Sequence, residues 1–367
     1  MAATEDHQKN LSRRIKAFRC PGCEWVARRP GGPENAGHYK HFSPRRGYRP
    51  GCSSSGGGQV QGVPQAASSA REAAMLGRFS KDAGSFTGIE IVENAVRVVQ
   101  LRKRKRRFEV LCQAQEPYQQ PADTTWMVQP AHAAAALRRA FERHGVCPHR
   151  VAMALAADQV ICKPCRVPRQ ACEEQIEAQL LAEAERLLPF ALDDLAMDFH
   201  VLGPCSDEPN SVDVMVAACR QSTLALVQSV ARHAGLQLEA VEVDTIALTR
   251  LLPPACSDQS AVLRIDLQNI ALHRWQCQGV CQRWAWTSTE PMLSGELPEQ
   301  VVLALVSQGL PADLWVSSGA CMTPRHLHAM SERLNVRCRP LPAPGGLECL
   351  GGPMLLASTL AAGGLRA

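Results

Sequence analysis

Apolar and polar residues alternate with period two from the mid-eighties onward. Thr87-Gly-Ile-Glu-Ile91 and Ala95-Val-Arg-Val-Val-Gln-Leu101 flank the turn Val92-Glu93-Asn94, and a third strand is predicted over Phe108 to Gln113. Pro130 opens an alanine-rich helix to His144, which Gly145 stops. Val151 to Ala156 and Val160 to Val167 read as strands. Glu173 to Leu188 reads as one amphipathic helix, with Ile176, Leu180, Ala184 and Leu187 on a stripe that ends at Pro189. Leu195 to Val201 and Val212 to Val216 alternate as half-buried strands. A helix over Gln221 to Ala234, a strand over Leu238 to Val243 and a helix over Asp244 to Leu252 follow.

After Pro253-Pro254 the strand triplet returns. Val262 to Leu267 is followed by Ala271 to Cys277 and Val280 to Trp286, the last two around the hairpin signal Gln278-Gly279. A helix over Pro298 to Gln308, a strand over Asp313 to Ser317, and helices near Pro324–Leu334 and Met354–Ala362 complete the pattern. The body is therefore predicted to be two α/β halves, each opening with a β-meander, with an αβ unit inserted over residues 168–245.

Composition separates this body from what precedes it. Residues 1–74 hold 12 Lys and Arg against 5 Asp and Glu, a net +7, and include an unbroken Ser/Gly run from Ser53 to Gly58. Such a segment cannot bury enough apolar surface to offset chain entropy and reads as a disordered basic tail. Cys20, Cys23, His38, His41 and Cys52 resemble zinc ligands in type, but the spacing is tight and there is little to form a core around them. Met75 reads as a start site, with the tail an upstream extension. The remaining 293 residues carry 28 cations against 30 anions, a net −2, which does not read as a nucleic-acid binder.

The sixteen cysteines are scattered, which fits small buried hydrophobes in a reducing compartment. No apolar run approaches a membrane span and no signal peptide is visible, so a cytoplasmic protein is expected. The six consecutive cations Arg102 to Arg107 sit between two strands and read as a solvated hairpin turn. Cys162 and Cys165 face opposite ways in a strand and do not read as a redox pair. His200, His233 and His273 read as solvated or hydrogen-bonded, and Asp193-Asp194 as capping chemistry rather than a metal site. Trp275, Trp284 and Trp286 read as cross-strand packing.

Several ordered segments resemble the type IV pilus assembly protein PilM family: Glu183-Ala-Glu-Arg-Leu-Leu-Pro-Phe-Ala-Leu-Asp-Asp-Leu-Ala-Met-Asp-Phe-His-Val-Leu-Gly203, Val212-Asp-Val-Met-Val-Ala-Ala-Cys-Arg220, Ala234-Gly-Leu236, Glu239-Ala-Val-Glu-Val-Asp-Thr-Ile-Ala-Leu248, and Gly88-Ile-Glu-Ile91 with Ala95-Val-Arg-Val98. The resemblance implies an actin-like, FtsA/PilM-type two-lobed α/β fold. The expected division is a first lobe over 75–167, an inserted 1C-like subdomain over 168–245, and a second lobe over 246–367 with subdomain 2B largely missing. It also implies a cytoplasmic, ring-forming platform at the inner membrane. The partner would be the N-terminal peptide of a PilN-like membrane protein.

That peptide's groove would be walled by Val160, Cys162, Arg166, Glu173 and Glu177. The family's cleft holds ATP and magnesium, for which the matching positions are Glu90, Asn94, Asp266 and Gly319. The glycines that let backbone N–H groups approach a phosphate are replaced by Val92 and Gln268, and Ser318 stands for the first glycine of the adenosine loop. These replacements favour a non-catalytic platform over the alternative, an actin-fold ATPase or sugar-kinase-like enzyme.

Overall fold

The computed structural model describes residues 84–365, except for 106, 120–125, 147, 149, 170–171, 206, 253–260, 267–268, 276–280, 288–296, 312, 319–321 and 348–349. The expected tail, its cysteines and histidines, Met75, Gln268 and Gly319 lie outside the described residues.

The first lobe begins with a meander of strands β1 (Ser85–Val92), β2 (Ala95–Arg104) and β3 (Arg107–Pro117). Helix α1 (Pro130–His144) follows, closed by Gly145 at φ 62°, and leads to β4 (Arg150–Leu155). The chain then leaves for a three-stranded antiparallel sheet. Strand β5 (Ile161–Pro168) enters it, helices α2 (Glu173–Ala182) and α3 (Ala184–Leu187) cover it, and β6 (Leu195–Pro204) and β7 (Ser211–Arg220) complete it. Ile176, Leu180 and Ala184 pack with Val214, Val216 and Met197 in its core. The predicted single helix over 173–188 is interrupted at Glu183, whose carboxylate is held by Gln179 and Arg186.

Helix α4 (Gln221–His233) and strand β8 (Gln237–Val243) return to the first sheet, whose order is β3-β2-β1-β4-β8. The N-terminus of α4 explains Asp193-Asp194: Asp194 accepts from the Ser222 N–H at 2.9 Å, so this carboxylate caps a helix. Helix α5 (Asp244–Thr249) leads to the second lobe.

There β9 (Ala261–Ile265), β10 (Asn269–Trp275) and β11 (Cys281–Thr287) repeat the meander; helix α6 (Glu299–Ser307), β12 (Asp313–Ser318), helix α7 (Pro324–Leu334) and β13 (Arg337–Pro340) follow. The order β11-β10-β9-β12-β13 matches the first sheet strand for strand, antiparallel meander first and parallel strands after. β13 had no clear signal in the sequence, because four residues are too short to show a period. Among the described residues between β11 and β12 there is one helix, α6.

The last helix, α8 (Leu355–Gly364), crosses back to the first sheet. All ten of its residues are buried. Side chains of α1 and α4 cover one face of that sheet (Val96, Val98, Leu137, Leu224, Val227), and α8 covers the other (Phe86, Val99, Leu101). With both faces covered, β1 and β2 read as nearly continuous apolar runs rather than as a clean alternation.

Candidate functional site: an ion-paired cleft between two sheets

The parallel strands β1 and β4 of the first sheet and β9 and β12 of the second bring their C-terminal ends to one cleft. Open α/β sheets place ligands at such ends. Glu90 stands near the end of β1, and Asp266 follows β9, its N–H donating to the Asn269 carbonyl at 2.7 Å. These two predicted residues are brought together, but by arginines. Arg97 on β2 reaches Glu90 at 3.5 Å and Asp266 at 2.9 Å. Arg264 on β9 pairs with Glu90, lies 3.6 Å from Asp266, and lies 3.8 Å from Asp244. Glu90 and Arg97 are each only 4% exposed. The same interface carries Arg283 of β11 on Asp158 at 3.4 Å.

Electrostatics explain why these charges persist in a buried place. An isolated buried ion is costly, and opposed partners within hydrogen-bond reach offset that cost. Burial opposes the charge on Arg264, yet Glu90, Asp266 and Asp244 outweigh it and push its pKa up. Burial pushes the Asp244 carboxyl up, while Arg264 and Arg283 and the N–H groups of Thr245 and Ala157 draw it back.

The predicted phosphate turn at Glu93 and Asn94 is also engaged. The Tyr118 hydroxyl donates to the Val92 carbonyl at 2.5 Å, and the Tyr118 N–H donates to the Asn94 carbonyl at 2.9 Å. Asn94 itself is exposed and does not line the cavity of the cleft.

These residues do not fit a magnesium nucleotide as they stand. The cavity lined by Glu90, Arg97, Arg264, Asp266, Ser317 and Gly352 has about 10 Å³ of open space, the room of one water. Small-molecule sites span roughly 300–1,000 Å³. The carboxylates that would meet magnesium already meet guanidinium groups. Among the described residues no cluster of His, Cys, Asp and Glu is arranged to hold a metal.

Sequence reasoning passed over Arg97, Arg264, Asp244 and Arg283. A signal was present for two of them: Arg97 and Arg264 each stand between two apolar neighbours within a strand, Val96 and Val98 for the first and Leu263 and Ile265 for the second. Such a residue needs a buried partner.

The predicted groove residues are spread along the inserted sheet. Val160 is buried in the core of the first lobe, and Cys162 packs against that same core. Arg166, four residues along β5, is held by Asp213 at 3.2 Å. Glu173 and Glu177 lie one turn apart on α2. β5 is an edge of its sheet, paired with β7 on one side only among the described residues. Cys162 and Cys165 are both free thiols, and burial pushes Cys162 up to about 11, which leaves it inert as a nucleophile.

His273 departs from the expectation of a solvated or hydrogen-bonded side chain. It is fully buried on β10, stacked on Trp275 at 6.2 Å, and neither ring nitrogen has a hydrogen-bond partner. Trp275 is buried, while Trp284 and Trp286 pack against the second lobe's core.

Comparison with known proteins follows the same lines. A solved structure described as the PilM-PilN type IV pilus biogenesis complex is similar over 76% of this chain and 98% of that one, at 21% identity and a TM-score of 0.60. The cytoplasmic domain of EpsL, an inner-membrane component of the type II secretion system of Vibrio cholerae, matches over 77% of this chain and 95% of that one, at 15% identity and a TM-score of 0.43. The ethanolamine utilization protein EutJ from Carboxydothermus hydrogenoformans matches over 76% and 89%, at 12% and 0.42. The fold is the actin-like two-lobed α/β arrangement. A family model described as type IV pilus assembly protein PilM matches residues 88–272, from β1 through the inserted sheet to β10. On that match the chain belongs to the type IV pilus assembly PilM family.

Proposed function

We propose that this chain is a nucleotide-independent platform of type IV pilus assembly. It takes up the cytoplasmic N-terminal peptide of a PilN-like inner-membrane protein and is thereby held at the cytoplasmic face of that membrane. The observation that supports the first half is the cleft, where two arginines pair with Glu90 and Asp266 and the open space is that of one water. Phosphoryl transfer needs a phosphate cradle, a metal and a positioned nucleophile. The enzyme alternative would have to break at least two buried ion pairs to make room for them.

The second half rests on the edge strand β5. A peptide can extend a sheet by pairing with such an edge while apolar side chains enter pockets. Residues 168–245 would be the peptide-binding subdomain, and 75–167 and 246–367 the two lobes that carry it. Cys162, Arg166, Glu173 and Glu177 would flank the peptide, with Val160 supporting it from within the core. Self-association into a ring belongs to the same reading.

A labelled peptide copying the partner's N-terminus, titrated by fluorescence anisotropy, tests this. Binding is expected to be equal with and without Mg-ATP. No binding by folded protein would overturn the platform reading. A rise in melting temperature with Mg-ATP would instead favour the enzyme, since a ligand selective for the native state stabilises it.

A further inference from the structure

The described cations where β2 ends and β3 begins are placed for more than solvation. Arg102 is paired with Glu109 at 3.0 Å. Lys103, Arg104, Lys105 and Arg107 are exposed, and no carboxylate pairs with them among the described residues. Arg104 on β2 and Arg107 on β3 are directly opposed across the ladder, a placement in which like charges repel. Lys105, which follows β2, stands at φ 57°, a left-handed conformation that glycine or asparagine adopts at less cost than lysine. Phe108 and Val110 pack on the core below and fix the tip in place. Local stability would be better served by other residues at three of these positions. That cost is characteristic of a site kept for contact with something anionic.

We propose that this hairpin tip docks on an anionic lipid bilayer. It lies at the end of the first sheet opposite the cleft, seven residues along β2 from Arg97 and so about 23 Å away. It works independently of the cleft, of nucleotide and of any protein partner. A bilayer suits it better than nucleic acid. A duplex is held by roughly 6–10 phosphate contacts along a basic face, whereas residues 75–367 carry a net −2 in all, and −8 (22 cations against 30 anions) once Arg102 to Arg107 are set aside. The exposed large apolar residues among those described, Val128, Leu303 and Val306, include no aromatic on which single-stranded bases could stack. A flat anionic surface needs only a protruding point of charge.

The test is co-sedimentation of the full chain with vesicles of equal parts phosphatidylglycerol and phosphatidylcholine, against pure phosphatidylcholine. Each cation near such a surface contributes roughly fivefold in affinity. Lys103→Ala/Arg104→Ala/Lys105→Gly should therefore lower binding roughly a hundredfold. Lys105→Gly alone removes one cation and relieves the left-handed lysine. It should bind roughly fivefold more weakly and melt no lower than the parent. The triple variant leaves residues 1–74 and their cations untouched, so retained binding would overturn the proposal. So would absence of binding by the parent, displacement by inorganic phosphate at matched ionic strength, or tighter binding to duplex or single-stranded DNA than to the anionic vesicles.

Discussion

One missing methyl group sets the spacing of the first lobe. A Cβ at Gly88 would lie 1.9 Å from the Ala357 carbonyl oxygen and 2.7 Å from the Ala361 nitrogen, both backbone atoms of α8. Neither can turn aside as a side chain would, so Gly88→Ala must push the helix from the sheet. The expected loss is about 3 kcal/mol or more, read by chemical denaturation; a change under about 1 kcal/mol would show that α8 is not seated this closely.

His273 carries a second prediction at this scale. Burial first, then the facing guanidinium groups of Arg264 and Arg283, lower its pKa well below the ordinary value. The unfolded chain therefore binds a proton that the native state refuses, and stability falls as pH drops through the unfolded pKa near 6.5. Arg264 and Arg283 stay charged throughout, so His273→Leu isolates the effect. The variant should gain on the parent by up to about 1.4 kcal/mol between pH 7.5 and 5.5, in paired denaturation curves. An unchanged gap between the two proteins would refute it. The histidine was legible in the sequence as an isolated residue on an apolar strand, but its lack of any hydrogen-bond partner was not, because the side chains around it come from β9 and β11 as well as its own strand.

At the scale of elements, α8 is the least autonomous piece of the molecule. It is rich in Ala, Gly, Ser and Thr, and every residue of it is buried. A helix of ten residues is marginal alone in water, so packing supplies its stability. The sheet depends on it in turn, since Phe86, Val99 and Leu101 have α8 or its flanking residues as their cover. Ending the chain after Met354 should abolish the cooperative thermal transition of the first lobe in far-UV circular dichroism. A preserved transition would mean that the sheet does not need this cover. The meander repeats, by contrast, were legible from the sequence. Antiparallel neighbours joined by tight turns are local contacts, and the alternation of side chains records them directly.

For the whole molecule, the decisive feature is the cluster that ties the two sheets across the cleft. Removing one partner of a buried ion pair leaves an uncompensated charge and costs roughly 3–5 kcal/mol. Arg264→Met strips partners from Glu90, Asp266 and Asp244 at once and should fall in that range. Adding Glu90→Gln should cost less in the Arg264→Met background than alone, by about 1 kcal/mol or more, because the pair is coupled. Strict additivity in this double-mutant cycle would show the two charges to be independent.

The sequence by itself determined the elements, their order, the duplication of the meander and the family resemblance, since each of these is written in periods and motifs along a few neighbouring residues. It also marked Glu90 and Asp266 as cleft residues, by position in that resemblance. What their carboxylates touch was decided by the tertiary structure alone. Arg97 and Asp266 are 169 residues apart, and Arg264 and Glu90 are 174 apart. A strand pattern fixes which face an arginine leaves by, whereas its partner depends on how two sheets distant in sequence meet. That meeting set Glu90 and Asp266 in one network of charges with Arg97 and Arg264.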